Sequence, residues 1–546
     1  FCNSLLAERL PEGDPQPVHP LHLGQHKTKG CPSEVEILLF NCLDPVLLAV
    51  EAAAPVEPEV AANLSPLILV AVLMSLVVIY LASRVAGEIA VRLSFPPVLG
   101  ELLGGVMVGA SALGLLIFRE GQVSGEELQA LAHSSVLMQF LQATAGLTEG
   151  SLVQVFSSQS EIIDILSEIG VIILLFEIGL ESDLSELLRV GPQAAAVAVI
   201  GVAVPFLAGT LGLLYLFHVP AIPAVFAGAA LTATSIGITA RVLAELQKLT
   251  SPEGQVIIGA AVLDDVLGII ILAVVAGLAK TGEVNLTDIG IIIISAVAFL
   301  VGSIVLGRLL SSYFVSLLNS LKTRGNPLLP ALVLAFLLAY VGQVIHLEAI
   351  LGAFAAGLIL AETDKRQELE EQIKPISDLL VPIFFVCVGA KTNLAVLNPT
   401  IPTNREGLII AAFLIGVAIL GKLAAGLGVF GKPGISRYAI GVGMIPRGEV
   451  GLVFAGVGAA SGVLSDALDV SIIVMVIATT FIAPLWLRGV LVGEEATQSE
   501  ASESDSAEAP SLLDLQAEVT EQDRKNDSAG IPADLPNPEG VGIPER

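Results

Sequence analysis

Two adjacent carboxylates, Asp264 and Asp265, stand in an apolar run, with Ile257-Ile258-Gly259-Ala260-Ala261-Val262-Leu263 before them and Val266-Leu267-Gly268-Ile269 after. A charged side chain at the centre of a bilayer-spanning helix costs about 2.5–3.5 kcal/mol on insertion scales, so two in succession require a function or a counter-charge. Neighbours on a helix point about 100° apart, which lets one carboxylate face an aqueous path while the other faces protein. Burial and mutual repulsion favour a bound proton, and a nearby cation favours its release. A carboxylate that holds a proton and a cation by turns does the chemistry of ion exchange. The plainer reading is a structural pair locked by a cationic side chain.

One such side chain exists. Lys422 lies inside Ala418-Ile419-Leu420-Gly421-Lys422-Leu423; it either pairs with Asp264 or extends its stem to reach the membrane surface. A second polar group, Thr232-Ala233-Thr234-Ser235, interrupts another apolar run. Small hydroxyl residues also serve ordinary helix packing in membranes. A third stretch, Pro446-Arg447-Gly448-Glu449, carries a proline that breaks a helix by removing an N–H and crowding the preceding turn. Backbone freed in this way is tolerated at membrane depth only where protein or a cavity meets it. The spacing therefore predicts two discontinuous helices that cross. Arg447 and Glu449, two apart, either neutralise each other or cap half-helix ends, and a structural role and a transport role are both open.

These groups require helices long enough to hold them in a non-aqueous solvent. Of 546 residues, 54% are hydrophobic and 14% charged, and the mean hydropathy is +0.83; soluble domains carry roughly 25% charged residues. Spans near 20 residues suffice to cross a bilayer. They are expected near 66–83, 95–117, 161–181, 191–216, 221–245, 254–279, 287–313, 327–345, 348–362, 376–395, 407–430, 436–461 and 468–491, about thirteen in all. The fold class is thus an all-α integral membrane protein. A polar loop over 118–160 is expected between the second and third spans. Glu101, Glu168 and Glu177 fall near helix ends or within hydrogen-bonding reach of the bundle, and Lys391 reads as a loop residue.

Thirteen Lys and Arg residues fall in short loops on one side, from Arg84 to Arg488, against four on the other, Arg119, Lys280, Lys391 and Arg405. The positive-inside rule then places the C-terminus in the cytoplasm and the N-terminus outside. Residues 1–60 read as an extracytoplasmic tail or a signal segment, since Ile37 to Ala54 is apolar and ends in Glu51-Ala52-Ala53-Ala54. Residues 61–491 form the membrane domain. The acidic tail, 492–546, is Ser/Glu/Asp/Pro-rich and is expected to be disordered. The net charge of −27 sits largely in the tails and gives no hint of nucleic acid. Neither GxGxxG nor GxxxxGK[ST] occurs in the tail, so no nucleotide and no cofactor is expected. Cys2, Cys31, Cys42 and Cys387 form no metal-ligating pattern.

The chain also echoes itself. Val98-Leu99-Gly100-Glu101-Leu102-Leu103-Gly104-Gly105 matches Ile350-Leu351-Gly352-Ala353-Phe354-Ala355-Ala356-Gly357. Leu174 to Leu180 matches Ile383 to Ala390 with a one-residue slip, and Gly228 falls opposite Gly441. Matching spans lie seven apart, an odd number, so two six-helix repeats enter the membrane in opposite directions with the seventh span as linker. Such inverted repeats place a transport site at mid-membrane between them.

On Pro97-Val98-Leu99-Gly100-Glu101-Leu102, Leu175-Phe176-Glu177-Ile178-Gly179-Leu180-Glu181, Thr232-Ala233-Thr234-Ser235, Leu263-Asp264-Asp265 and Pro446-Arg447-Gly448-Glu449, the chain resembles the monovalent cation:proton antiporters of bacteria and chloroplasts. The resemblance covers residues 66–490 and is to the second large branch, nearest its sodium/proton antiporters, including cyanobacterial ones. It implies a homodimer in membrane lipid, each protomer having a dimerisation domain and a core domain that moves like an elevator. It implies that Asp265 binds either the transported sodium (or lithium) or protons. It implies that Asp264 alternates between a salt bridge to Lys422 and help in cation binding, and that Thr234 and Ser235 lie in the unwound segment. An Asp-Asp pair resembles the electrogenic members. Potassium-carrying relatives often have Gln-Asp and a C-terminal nucleotide-binding domain, and this chain has neither; potassium/proton exchange is the alternative. The membrane would be a bacterial inner membrane or a thylakoid.

Other classes fit less well. A channel needs a filter loop or charged ring, and none is evident. Intramembrane aspartyl proteases hold their carboxylates on separate helices, whereas these are adjacent on one, so no enzymatic activity is expected.

Overall fold

The structure, a computed structural model, describes residues 58–118, 125–281, 327–345, 347–430 and 435–508, with isolated positions between 290 and 305. Among these residues every named element is a helix. In chain order they are α1 (Pro58–Arg92), α2 (Pro97–Val108), α3 (Gly125–Ser134), α4 (Val136–Ala145), α5 (Glu149–Glu181), α6 (Leu184–Tyr215), α7 (Ala221–Ala230) and α8 (Ile236–Glu245). Then follow α9 (Pro252–Thr281), α10 (Leu328–Val344), α11 (Ala349–Ala361), α12 (Arg366–Ala390), α13 (Pro402–Ala425), α14 (Arg437–Gly443), α15 (Glu449–Ala460) and α16 (Asp466–Glu508).

Among the described residues six helices are long and apolar enough to cross a membrane, joined by shorter apolar helices such as α2, α7, α10 and α11. The multi-pass, all-helical membrane architecture expected from hydropathy is therefore present. The expected span at 287–313 lies almost wholly outside the described residues. Two single spans are each two helices, α7 with α8 and α14 with α15, parted at 231–235 and 444–448. The loop expected over 118–160 is corrected: it contains α3, α4 and the first three turns of α5. Ser135 caps α4, accepting the Met138 N–H at 3.3 Å, and Leu137, Met138 and Leu141 bury its inner face against Val155 and Phe156 of α5. The polar composition of that stretch hid an amphipathic pattern too short to read as a span. Residues 1–57, with Cys2, Cys31 and Cys42, and residues 509–546 of the acidic tail lie outside the description; α16 continues as helix to Glu508.

The repeat is visible in the packing. A Cβ on Gly105 of α2 would overlap the Val386 carbonyl of α12, and one on Gly357 of α11 would overlap the Phe176 carbonyl of α5. The reciprocal positions behave alike, Gly389 against the Leu102 carbonyl and Gly179 against that of Phe354. Gly100 meets Ala86 of α1 just as Gly352 meets Leu338 of α10. Each contact in one half thus has its counterpart in the other, at the positions the sequence echo pairs. Small residues let these backbones approach closely, which is how membrane helices associate.

Two helix bundles result. One comprises α1, α2, α5, α10, α11 and α12; the other comprises α6, α7, α9 and α13 to α16, and α8 supplies most of the contact between them. Glu101 accepts from Ser83 Oγ at 3.1 Å, and Glu177 accepts from Ser377 Oγ, so both carboxylates are hydrogen-bonded within the first bundle. Cys387 is a buried free thiol packed with Ile383 and Val386.

Candidate functional site

The site forms where the two helix breaks meet. After α7 ends, Leu231 and Thr232 form a turn, and Ala233, Thr234 and Ser235 run without regular structure, Ser235 being extended, before α8 begins. After α14 ends, Met444 turns in the helical region and 445–448 run without regular structure before α15, with Pro446 removing a backbone N–H. A Cβ on Gly448 would stand 2.6 Å from Ser235 Oγ, so only glycine allows the two breaks this close.

Backbone groups freed inside a membrane protein must be satisfied by protein, and here several of the partners can be named. The Ser235 N–H donates to the Pro446 carbonyl at 2.9 Å. Thr234 Oγ1 donates to Met444 O and Thr239 Oγ1 to Gly443 O, each at 3.1 Å. Thr480 Oγ1, from α16, donates to Arg447 O at 2.6 Å. On the first break, Lys422 Nζ donates to Thr232 O at 2.7 Å, and the Arg447 guanidinium donates to Ala233 O. Both cations thus sit just past the C-terminus of α7, the negative end of that helix dipole.

Asp264 and Asp265 project from the middle of α9 and are both buried. Lys422 Nζ lies 2.7 Å from Asp264 Oδ2, with both side chains fully excluded from solvent. The ammonium therefore bridges a carboxylate oxygen and a backbone carbonyl at equal distance. Of the two readings of Lys422, pairing with Asp264 is the one the geometry adopts. Asp264 Oδ1, Ser235 Oγ and Arg447 Nε and Nη2 are buried and make no hydrogen bond among the described residues. A buried polar atom without a partner is uncommon and calls for a ligand or an exchangeable contact. Asp264, Asp265, Lys422 and Arg447 carry formal charges that sum to zero, so the cluster has room for a monovalent cation only if a proton leaves or a cationic side chain moves.

The sequence-derived residues Thr234, Ser235, Asp264, Lys422 and Arg447 are brought together by these contacts, and Asp265 adjoins Asp264 on α9. Glu449 is the first residue of α15, and its side chain lies outside the described residues. Thr239 and Thr480 are not among the residues singled out from sequence, and neither is the Thr232 carbonyl. Thr239 follows Ser235 by one helical turn, a spacing that would have placed it on the same face. Thr480 sits in an apolar span as one of many hydroxyls that could simply bond their own helix.

A cavity of about 780 Å³ opens between the two bundles. Asp164, Glu168, Glu348 and Lys391 line it, with Ile269 and Val453 contributed by the other bundle. Ile269 lies one turn along α9 from Asp265, so this space reaches toward the carboxylates. Lys391, read from sequence as a loop residue, is instead the C-cap of α12 and stands 2.9 Å from Asp164.

Comparison with known proteins places this geometry. The family described as "Sodium/hydrogen exchanger, transmembrane" matches residues 72–493. The "High-affinity Na(+)/H(+) antiporter NhaS3" of Synechocystis is 61% identical over 84% of this chain and 97% of its own length. The "Na(+)/H(+)-K(+) antiporter GerN" of Bacillus cereus is 32% identical over 75% of this chain and 94% of its own. Among solved structures, the sodium proton antiporter MjNhaP1 of Methanocaldococcus jannaschii has a TM-score of 0.51 at 17% identity, covering 78% of this chain and 98% of that one. At that identity the likeness speaks for the fold alone. Since the family match covers both repeats and every helix that supplies a site residue, the chain belongs to the sodium/hydrogen exchanger family.

Proposed function

We propose that this chain is a secondary antiporter that exchanges sodium, or lithium, for protons by alternating access. The observation that carries the reading is the buried Asp264–Lys422 pair beside Asp265, set where two broken helices meet. The printed name of the Synechocystis relative, a sodium/proton antiporter 61% identical to this chain, supports the same substrate pair.

In this reading Asp265 is the carboxylate for which sodium and protons compete. Asp264 joins it when a cation arrives and Lys422 lets go. Release of Lys422 frees two oxygens at once, Asp264 Oδ2 and Thr232 O, while Asp264 Oδ1 and Ser235 Oγ already lack donors among the described residues. Hard monovalent cations are held by such oxygen ligands, supplemented by water. Thr234 steadies the unwound segment through Met444 O. Arg447, with Glu449 beside it in sequence, compensates charge and neutralises the end of α7. One arriving monovalent cation displaces the proton of Asp265, and the ammonium of Lys422, released from Asp264, loses a second, so two protons leave for one cation and the exchange is electrogenic.

The cavity lined by Glu168 and Glu348 supplies the aqueous approach from the non-cytoplasmic side. The bundle of α6 to α9 and α13 to α16 moves against the other bundle, through which two protomers pair as a homodimer in lipid. The membrane is a bacterial inner membrane or a thylakoid, with the C-terminus in the cytoplasm. A second reading, potassium/proton exchange on the same residues, is favoured by one observation, the potassium in the printed name of the Bacillus cereus relative.

The test is proton flux in proteoliposomes challenged separately with sodium, lithium and potassium. Sodium- or lithium-driven flux supports the proposal, a response to potassium alone moves the substrate to the second reading, and absence of all three from folded protein refutes antiport.

A further inference from the structure

Four of the carbonyls at the second break are satisfied by Thr239, Thr234, the Ser235 N–H and Thr480. Three of these donors come from the facing break or from α8. They therefore belong to the same pair of crossed segments and tie the two breaks to each other. Thr480 is the exception. It lies on α16, the helix that packs against both α14 and α15 from a different side. Its hydroxyl makes the shortest of the four contacts, 2.6 Å to Arg447 O, in a buried setting.

The position of α16 within the repeat sharpens the point. As α9 is the last helix of the first repeat and packs on α6, so α16 is the last of the second and packs on α13. In the first repeat this helix carries the carboxylates to the crossing. In the second it carries a neutral hydroxyl, which supplies hydrogen bonding without charge. Arg447 is consequently fixed at two points, through its carbonyl by Thr480 and through its guanidinium by Ala233 O. The guanidinium is fully buried and holds the carbonyl next to the one that takes the Lys422 ammonium.

From this geometry we propose that Thr480 is a positioning residue of the cation site, holding Arg447 so that its charge stands in fixed register with the Asp264–Lys422 pair. Its contact also withholds the Arg447 carbonyl from the oxygens that can ligate a cation. Without the hydroxyl, that buried carbonyl loses its donor, the break relaxes and the guanidinium leaves Ala233 O. The charge balance around Asp264 then changes although no charged residue has been altered.

The inference rests on the antiport reading for its transport readout, so a second readout that requires no transport is paired with it. Thr480→Val replaces the hydroxyl by a methyl of similar shape; Thr480→Ser keeps the donor, and Thr480→Ala serves if the valine variant does not fold. In proteoliposomes, Thr480→Val is expected to raise the apparent KM for sodium roughly tenfold, the effect of one buried acceptor left unpaired. The maximal rate stays near wild type, and Thr480→Ser restores the wild-type KM. In detergent, hydrogen–deuterium exchange over residues 444–450 should speed up in Thr480→Val and Thr480→Ala but not in Thr480→Ser. Unchanged exchange over that segment would overturn the inference whatever the transport result. A lowered melting temperature with unchanged KM would also overturn it, by reducing Thr480 to a packing residue. A wild-type protein that moves no protons against any cation would refute antiport, and the exchange measurement would still decide the role of Thr480.

Discussion

Thr234 and Arg447 hold equivalent places in the two helix breaks, each six residues past the paired glycines Gly228 and Gly441. Each sends its side chain to a carbonyl of the other break, Thr234 to Met444 and Arg447 to Ala233. The inverted repeat thus cross-links itself at its centre with one neutral and one charged donor. That substitution of guanidinium for hydroxyl is the asymmetry on which the site depends. It brings a second fixed positive charge to a cluster that already holds Lys422, and two carboxylates are then needed for neutrality.

Replacing Asp265 by Asn keeps the size of the side chain and removes its capacity to exchange a proton for a cation. Sodium-driven proton flux should fall to the level of empty liposomes, while the protein elutes and melts as wild type. Normal flux from Asp265→Asn would remove this carboxylate from the mechanism.

The paired glycines predict matched damage in the two repeats. Gly105→Leu and Gly357→Leu each force a side chain into a facing backbone carbonyl, that of Val386 or of Phe176. Overpacking of this kind costs about 1–3 kcal/mol or more. Both variants should melt earlier by similar amounts in detergent. A large effect at one position and none at the other would mean that the two contacts are not equivalent.

Acid should weaken α6 through its N-cap, which lies outside the membrane spans. Asp183 Oδ1 accepts from Ser185 Oγ at 2.6 Å, the Ser185 N–H at 2.9 Å and the Glu186 N–H at 3.1 Å. The Ser185 hydroxyl foremost, then the backbone N–H groups, hold this carboxyl below its ordinary value of 3.8. A depressed value in the folded state gives stability that is present above the unfolded value and lost as pH falls through the folded one. At neutral pH, Asp183→Ala should therefore cost about 0.5–1 kcal/mol, the low end for an exposed cap. The gap between variant and wild type should narrow below pH 3.8. A gap that is the same at both pH values would mean that the charge of Asp183 contributes nothing to the cap.

Much of this was legible in the residues because membrane insertion penalises polar groups so heavily. Asp264, Asp265 and Lys422 could not stand in apolar runs without partners, which made the cluster readable. Proline alone does not break a helix here, since Pro205 and Pro382 stand inside α6 and α12, and the second break was legible because Pro446 comes with Arg447, Gly448 and Glu449. The first break has no proline, and only its Thr/Ser content and its place opposite Pro446 marked it. What remained hidden were contacts made through backbone oxygens. The role of Thr232 lies in its carbonyl, which any residue has, and Thr480 acts through the carbonyl of Arg447. Residue type carries no trace of either. The helices α3 and α4 escaped for another reason: ten residues each, they are too short for hydropathy alone to separate them from a loop.

The strongest energetic statement concerns Lys422 and Asp264. Because both are fully buried at 2.7 Å, removing one leaves the other as an uncompensated charge in a water-poor interior, at a cost of about 3–5 kcal/mol. Lys422→Ala also strips the donor from Thr232 O, so the first break loses a tie along with the charge. Asp264→Asn leaves Lys422 with that carbonyl and a neutral amide, and should be the milder of the two. The double variant Lys422→Ala/Asp264→Asn leaves neither member of this pair as a lone charge and should be more stable than the sum of the single changes implies. The excess expected is within the 0.5–3 kcal/mol range of directly contacting pairs. Thermal melting of the four proteins in detergent gives this coupling. Strict additivity would mean that the ammonium and carboxylate are independent in the membrane, and the displacement of Lys422 by a cation would then have no energetic basis. Coupling that shrinks as sodium is raised, in wild type but not in Asp265→Asn, would tie the pair directly to cation binding. Under the proposed mechanism the arriving cation competes with the ammonium for Asp264, and it can do so only when Asp265 is there to hold it.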